Sequence, residues 1–419
     1  MAENLICGID VGSTKIATVV ATKVKDDTEI RVIGFNSTRS RGVKKGLVVD
    51  IDQVTAAVEE SIEKAERMVG HKITRAFTTV GGPHISSLNS HGVVAIANPQ
   101  GEISAEDVDR AVEAARAISL STTRQIIEVS PREYIVDGQA GIKNPVGMSG
   151  VRLEVDTHII TASSTNLKNI DRCLSDLGVE NEGFIFSGLA SAEAVLTDTE
   201  KELGVVVADI GGGKIDLCVY EEGALAYSSS IAIGARHITN DIAVGLRVSL
   251  ESAEKIKLYL SKKVMEEEKK DEEFSLSELN LPENIREVSF KTLIDGIIGA
   301  RIEEIYKLIG EEIEKSGYLQ SVPSGLVVTG GGALTAGMLE AGRKILGLPM
   351  KIGRPEGVSG LLDEILDPQY SACVGLILYG GKNIIEYDTG LKKFNKIFKD
   401  FSLGGSFTKV KELIKQFIP

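Results

Sequence analysis

Apolar positions along the chain fall into two kinds of block. Leu5 to Val20 (LICGIDVGSTKIATVV) and Val205 to Val219 (VVVADIGGGKIDLCV) are nearly continuous apolar runs broken once by glycine. Short runs of this kind predict buried strands, and each pair reads as a β-hairpin. Leu326 to Leu334 (LVVTGGGAL) predicts a further buried strand that ends on glycines and precedes a helical segment, Ala336 to Leu346. Ile30–Phe35 and Ala76–Gly82 read as strands. Helical period appears in Ile51–Val69, whose stripe is Val54, Val58, Ile62, Ala65 and Val69, and again in Thr165–Leu177, Ser249–Leu260 and Lys291–Ile309.

Between the first strands and the second hairpin, Pro83 to Ser163 reads as an inserted α+β module. It carries strands at Gly92–Ala97, Gln125–Val129 and Tyr134–Val136, and a helix capped by Ser104 with Asp107 three residues on. Glu133 to Glu154 is rich in Gly, Pro and Asn, and from its residues alone reads as a surface loop. Gly183–Leu196 and Pro368–Gly380 carry small residues, among them Ala372 and Gly375, that suit close helix crossings. Lys262–Glu273 is mixed charge and reads as a solvated helix end or loop.

The two hairpins share a chemistry. Asp10 precedes Gly12, Ser13, Thr14 and Lys15; Asp209 precedes Gly211, Gly212, Gly213 and Lys214. Glycine lets backbone amides approach an anion closely. One such turn is equally an ordinary hairpin tip, but two predict related lobes that grip a nucleotide's phosphates from both sides. Asp10 and Asp209 would then hold Mg²⁺ through its waters. This is not a Walker A loop, since Ile215 follows Lys214 and strands rather than a helix come next. Gly330, Gly331 and Gly332 suit the flat face of an adenine. The three turns resemble the phosphate-1, phosphate-2 and adenosine motifs of the actin, heat-shock ATPase and sugar-kinase superfamily. That resemblance implies an α/β, actin-like two-lobed ATPase fold with duplicated ββαβ-type cores and an inserted α+β subdomain.

Composition narrows the partners. The 419 residues carry a net charge of −13, which argues against general nucleic-acid affinity. Cys7, Cys173, Cys218 and Cys373 are far apart and read as reduced core residues. The histidines show no zinc spacing, and His84 and His91 read as solvated loop positions. No signal peptide and no membrane-spanning apolar run is visible, so any membrane contact is expected to be peripheral.

SRGVKKGLVVDI, TVGGPHISSLNSHGVV, EYIVDGQAGIKNPVGMSGVRLE and GARHITNDIAVGL closely resemble the bacterial cell-division FtsA family, along essentially the whole chain. The resemblance implies an actin-like adaptor that binds ATP with Mg²⁺, polymerises at the cytoplasmic face of the cell membrane and anchors the FtsZ ring at the division site. It implies a first core of residues 1–82 with about 164–190 and 370–390, and an inserted subdomain of 83–163 for self-assembly and contact with later division proteins. A second core of 191–236 with about 310–369, and a subdomain of 237–309, follow from it too. Asn240, Glu254 and Lys257 would contact the nucleoside; Glu254 and Lys257, three apart, equally suit a surface ion pair. Arg286, Lys291 and Arg301 would receive the FtsZ C-terminal peptide. Glu193 is the nearby carboxylate for orienting water, and at most slow ATP hydrolysis is expected.

From Lys392 onward lysines dominate. Residues 391–405 read as a basic flexible linker, and 406–419 (SFTKVKELIKQFIP) as an amphipathic helix with Phe407, Val410, Leu413, Ile414, Phe417 and Ile418 on one face. Such a helix suits the headgroup plane of anionic lipid. Partial burial of these side chains, at roughly 1 kcal/mol each, gives reversible binding by one tail, which a filament of many tails would strengthen. The competing readings are a small-molecule kinase of the same superfamily and a pilus-assembly adaptor sharing the fold.

Overall fold

The computed structural model describes residues 5–23, 29–266, 273–283, 287–289, 291–361 and 364–388. The chain opens with strands β1 (Leu5–Val11), β2 (Lys15–Lys23) and β3 (Ile30–Arg39), which pair antiparallel in sequence order. A two-residue turn links β4 (Val43–Lys44) to β5 (Leu47–Val48). Helix α1 (Ile51–Val69) follows, capped by Asp50 at its start and by left-handed Gly70 at its end. Strand β6 (Arg75–Val80) then lies parallel to β1.

The next segment builds a separate sheet from β7 (Ser86–Ala95), β8 (Arg124–Val136), β9 (Gln139–Ile142) and β10 (Arg152–Ser163), in the order β7-β10-β8-β9. Helix α2 (Ala105–Arg116) lies on it so tightly that a Cβ on Gly92 would meet the Ala111 carbonyl oxygen at 2.3 Å. The capping box of Ser104 and Asp107 is present. Two readings change here. Gln125–Val129 and Tyr134–Val136 belong to one strand; Pro131 sits beside a β-bulge, where its missing N–H is tolerated. Much of Glu133–Glu154 is strand rather than loop, because β8 runs to Val136 and β9 and β10 occupy 139–142 and 152 onward.

Helix α3 (Ser164–Ser175) and β11 (Glu180–Phe186) complete the first sheet, ordered β11-β6-β1-β2-β3 plus an edge strand added later. Helices α4 (Ser187–Val195) and α5 (Asp198–Leu203) lead to β12 (Val205–Ile210), β13 (Ile215–Glu221) and β14 (Ala224–Ile231), again antiparallel in sequence order. After α6 (Ala235–Leu246), α7 (Leu250–Glu266) and the short pair β15 (Glu273–Ser275) and β16 (Glu287–Ser289), a π-wound turn at Lys291–Ile298 runs into α8 (Gly299–Ser316). Strand β17 (Leu326–Thr329) pairs parallel with β12, and past α9 (Met338–Leu346), β18 (Met350–Ile352) extends that edge. Strand β19 (Val358–Gly360) is the edge strand that pairs with β3, and α10 (Ser371–Asp388) closes the described chain.

The two large sheets thus repeat one plan: three antiparallel strands in sequence order, with parallel strands added beside the first. One buried core runs from the first sheet onto one face of the second through residues such as Val207, Cys218 and Val327; the other face of the second sheet has a core of its own, and the inserted sheet has a third. Helices α4 and α10 cross where a Cβ on Gly375 would meet the Ala190 carbonyl oxygen at 1.7 Å, so the small residue there is obligatory. All four cysteines are buried and unbridged. Among the described residues, no helix is long and apolar enough to cross a membrane.

Candidate functional site

The β1–β2 hairpin is closed by the Gly12 amide donating to the Lys15 carbonyl at 3.0 Å. Asp10 lies just before this turn, and its carboxylate accepts the Thr79 hydroxyl at 2.7 Å. Thr79 also takes the Val11 amide at 3.0 Å, so the parallel strand β6 aims the aspartate. Ser13 is buried and accepts the Gly46 amide at 3.0 Å. The Lys15 ammonium donates to the Gln369 carbonyl and lies 4.6 Å from the centre of the Tyr370 ring. Burial pushes its pKa down, against the pull of Asp10 and Asp209.

The second hairpin repeats the closure: the Gly211 amide donates to the Lys214 carbonyl at 3.0 Å. The first amides of α6, from Ala235 and Arg236, donate to the carbonyls of Gly211 and Gly212 at 2.9 and 2.8 Å. Asp209 accepts the Ser191 hydroxyl at 2.6 Å, and desolvation pushes its pKa up to about 6 even with Lys214 nearby. Lys214 is buried, ion-paired with Asp216 and donating to Ser187 at 2.9 Å. Asp216 in turn accepts the Ser230 hydroxyl at 2.6 Å.

The two turns meet face to face. A Cβ on Gly212 would fall 2.2 Å from the Thr14 methyl, and one on Gly213 would fall 3.0 Å from the Ser13 hydroxyl. The third turn closes the same region from another side: Gly330 has φ +83° and a Cβ there would strike the Asp209 carboxylate at 2.2 Å. One on Gly332 would meet Ile210 at 2.4 Å, while Gly331 faces Gln369. Glycine-lined turn tips, two ammonium groups and two opposed aspartates form a donor set that suits a metal-chelated polyphosphate. No group of three or more metal-ligating side chains occurs among the described residues. A cation held by Asp10 and Asp209 would keep most of its waters, as Mg²⁺ does. Near the third turn's helix neighbours, Lys257 is buried and donates to Glu254 at 2.8 Å and to Thr239 at 3.0 Å. Asn240 is exposed on α6.

The remaining candidates scatter. Arg301 is committed to both carboxylate oxygens of Asp241 at 2.6 and 2.9 Å and also pairs with Glu304. It lines a surface groove with Val244, Gly245, Gly296 and Ile297. Lys291 is exposed at the start of the π-wound turn. Arg286, the 391–405 linker and the tail positions Phe407, Val410, Leu413, Ile414, Phe417 and Ile418 lie outside the described residues. Glu193 is held by Lys201 at 3.1 Å and by Lys382, an arrangement that leaves it poorly placed to orient water. On the same helix, Ser187 and Ser191 are the residues that touch the cleft's charges. His91 is on strand β7 rather than in a loop, between Asp156 at 2.8 Å and Glu154 at 3.0 Å, which raise its pKa. His84 is half-buried, and desolvation lowers its pKa to about 4.

A family profile described as "Cell division protein FtsA" matches residues 206–375, and one described as "SHS2 domain inserted in FTSA" matches residues 82–161. The cell division protein FtsA of Neisseria meningitidis serogroup B is 38% identical over 90% of each chain. The chain belongs to the FtsA family. FtsA of Pseudomonas aeruginosa is 36% identical, covering 90% of this chain and 89% of its own, and FtsA of Escherichia coli K12 is 34% identical, covering 93% and 94%. It is thus a member of a family of cell division proteins. Among solved structures, the PilM–PilN type IV pilus biogenesis complex matches with TM-score 0.62 at 15% identity, covering 90% of this chain and 98% of that one. MreB5 of Spiroplasma citri bound to ADP matches with TM-score 0.52 at 13% identity, covering 92% and 98%. These neighbours share the actin-like ATPase fold, which FtsA family membership and the duplicated sheets agree with.

Proposed function

We propose that this FtsA family member binds ATP with Mg²⁺ between its two glycine turns and uses the bound nucleotide to favour assembly into filaments. The observation that carries the reading is the meeting of the two turns, each with an aspartate before it and a lysine after it. Amides of the tips, with Lys15 and Lys214, would bind phosphate oxygens; Asp10 and Asp209 would hold the metal's waters. Gly330–Gly332 would lie against the base, and Glu254, Lys257 and Asn240 near the ribose. The fold neighbour MreB5 was solved with ADP and with AMPPNP, which supports a nucleotide in this cleft. With Glu193 tied up in ion pairs, turnover is slow and the nucleotide is regulatory.

In this reading residues 83–163 supply self-assembly and contacts with later division proteins. The 237–309 region, with Arg286, Lys291 and Arg301, receives the FtsZ C-terminal peptide. The 406–419 helix attaches the filament to anionic lipid at the cytoplasmic face of the division site. The test is sedimentation with anionic liposomes and Mg-ATP, comparing the full chain with one ending at Gly405. Tail-dependent co-sedimentation is the expected result; equal behaviour of both chains refutes the tether. Rapid phosphate transfer to a small hydroxyl acceptor would instead favour the kinase reading.

A further inference from the structure

The β4–β5 hairpin lies where three segments of chain converge. Its two turn residues, Lys45 and Gly46, have φ of +51° and +78°. That is a two-residue turn of the kind Asn, Asp and Gly fill without strain. Lysine bears a strain there that glycine would not, as Glu222 and Arg247 do at their own turns, so the use of the Lys45 side chain has to be argued from where the hairpin sits.

The surroundings of the tip show where its backbone is held. The Gly46 amide donates to Ser13 in the first glycine turn at 3.0 Å. A Cβ on Gly213, in the second turn, would fall 3.2 Å from the Lys45 amide nitrogen. One on Gly46 would fall 2.1 Å from the Gly81 carbonyl oxygen and 3.0 Å from the Lys214 side chain. One on Gly82 would fall 2.5 Å from the Lys45 carbonyl oxygen. The tip is therefore seated against both turns, with its backbone fixed and no room to slide.

Charge supplies the second argument. Asp10, Asp209 and Asp216 outnumber Lys15 and Lys214 in the cleft, and Lys214 is already neutralised by Asp216. A triphosphate entering with one divalent cation still carries net negative charge, so a further cation at the turns would be stabilising. Lys45 is exposed and makes no ion pair among the described residues. Its flexible four-carbon stem starts from a backbone packed on both turns.

We infer that Lys45 is a further phosphate-binding cation of the cleft, presented by a hairpin seated on both glycine turns. The inference rests on the nucleotide reading above. Calorimetric titration of the full chain with Mg-ATP tests it, using the wild type, Lys45→Gly, Lys45→Arg and Lys44→Ala. Glycine suits the turn, so Lys45→Gly keeps the hairpin and its melting temperature is expected to hold or rise. Its ATP affinity is expected to fall by about tenfold or more, while Lys45→Arg and Lys44→Ala stay within about threefold of wild type. Lys45→Gly within threefold of wild type overturns the inference. An equal loss in Lys44→Ala also overturns it, because a general field rather than a contact would then be acting. Wild type that binds no nucleotide overturns the underlying reading instead, and the wild-type titration alone shows this.

Discussion

The β1–β2 and β12–β13 hairpins are the same backbone carrying different charges. In both, the turn glycine donates to the lysine carbonyl at 3.0 Å, and the aspartate stands one residue before the strand's end. They part at the residue across from the aspartate. Asp10 faces Ala17, whereas Asp209 faces Asp216. Lys214 consequently has a carboxylate two residues on, in the strand it leads into, and is locked to it. Lys15 has none, and its ammonium is left to a backbone carbonyl, an aromatic face and the fields of two more distant aspartates. The tips differ as well: Ser13 and Thr14 offer side chains where Gly212 and Gly213 offer bare backbone, and the one packs into the other. One frame thus occurs twice, and the residue opposite the aspartate decides that the second lysine is paired with a carboxylate and the first is not, which on the nucleotide reading makes Lys15 the more available of the two cations.

Lys214→Met should separate these roles most strongly. It leaves Asp216, 1% exposed, as a buried carboxylate without its cation. Breaking a buried pair from one side costs about 3–5 kcal/mol. The urea midpoint should fall sharply, and the double variant Lys214→Met with Asp216→Leu should recover much of the loss. A single variant as stable as wild type would mean that the pair is not what holds this hairpin. Lys15→Met should do the reverse. It removes a cation that burial already disfavours, so stability should change little. Mg-ATP affinity should drop by about 10–100-fold, the worth of one charge-assisted contact of about 1.5–3 kcal/mol. Equal affinity in Lys15→Met and wild type would erase the proposed division of labour.

Much of this frame was legible because glycine interrupts otherwise apolar runs, and nothing else in the chain has that pattern twice. The less visible parts fail for identifiable reasons. Asp216 sits inside KIDLCV, where one polar residue in a buried strand gives no hint that it pairs with Lys214 two places back. Ser187 and Ser191 are four apart on one face of α4 and both reach the cleft, but small residues in SGLASAEAV signal helix crossing first. Glu193, the carboxylate of that helix, is held by Lys201 and by Lys382 from α10, a contact spanning 189 residues of sequence. Strand β7 begins six residues before its apolar stretch because SSLNSH pairs by backbone along β10, with only some positions buried.

The smallest effect tests the other arm of the comparison, the aspartates. Asp209 has its pKa raised to about 6 by desolvation, from an unfolded value near about 3.9. The folded chain therefore holds this proton more tightly than the unfolded chain. Stability contributed by the protonated form is present below pH of about 4 and is lost as pH rises to about 6, with no further change above. Asp209→Asn keeps an oxygen for the Ser191 hydroxyl and removes the titration. Without nucleotide or Mg²⁺, it should be more stable than wild type at pH 7 by about 1–2 kcal/mol, a shift of two units discounted for solvent reaching the cleft. The advantage should vanish near pH 4. Melting curves of both proteins from pH 4 to pH 8 measure it, and the titrating groups that both proteins share cancel in the difference. A constant offset between the two curves would show that the Asp209 charge costs the fold nothing. A gap that opens with pH in the free protein, and reverses once Mg-ATP is added, would show that the fold bears this charge for the ligand.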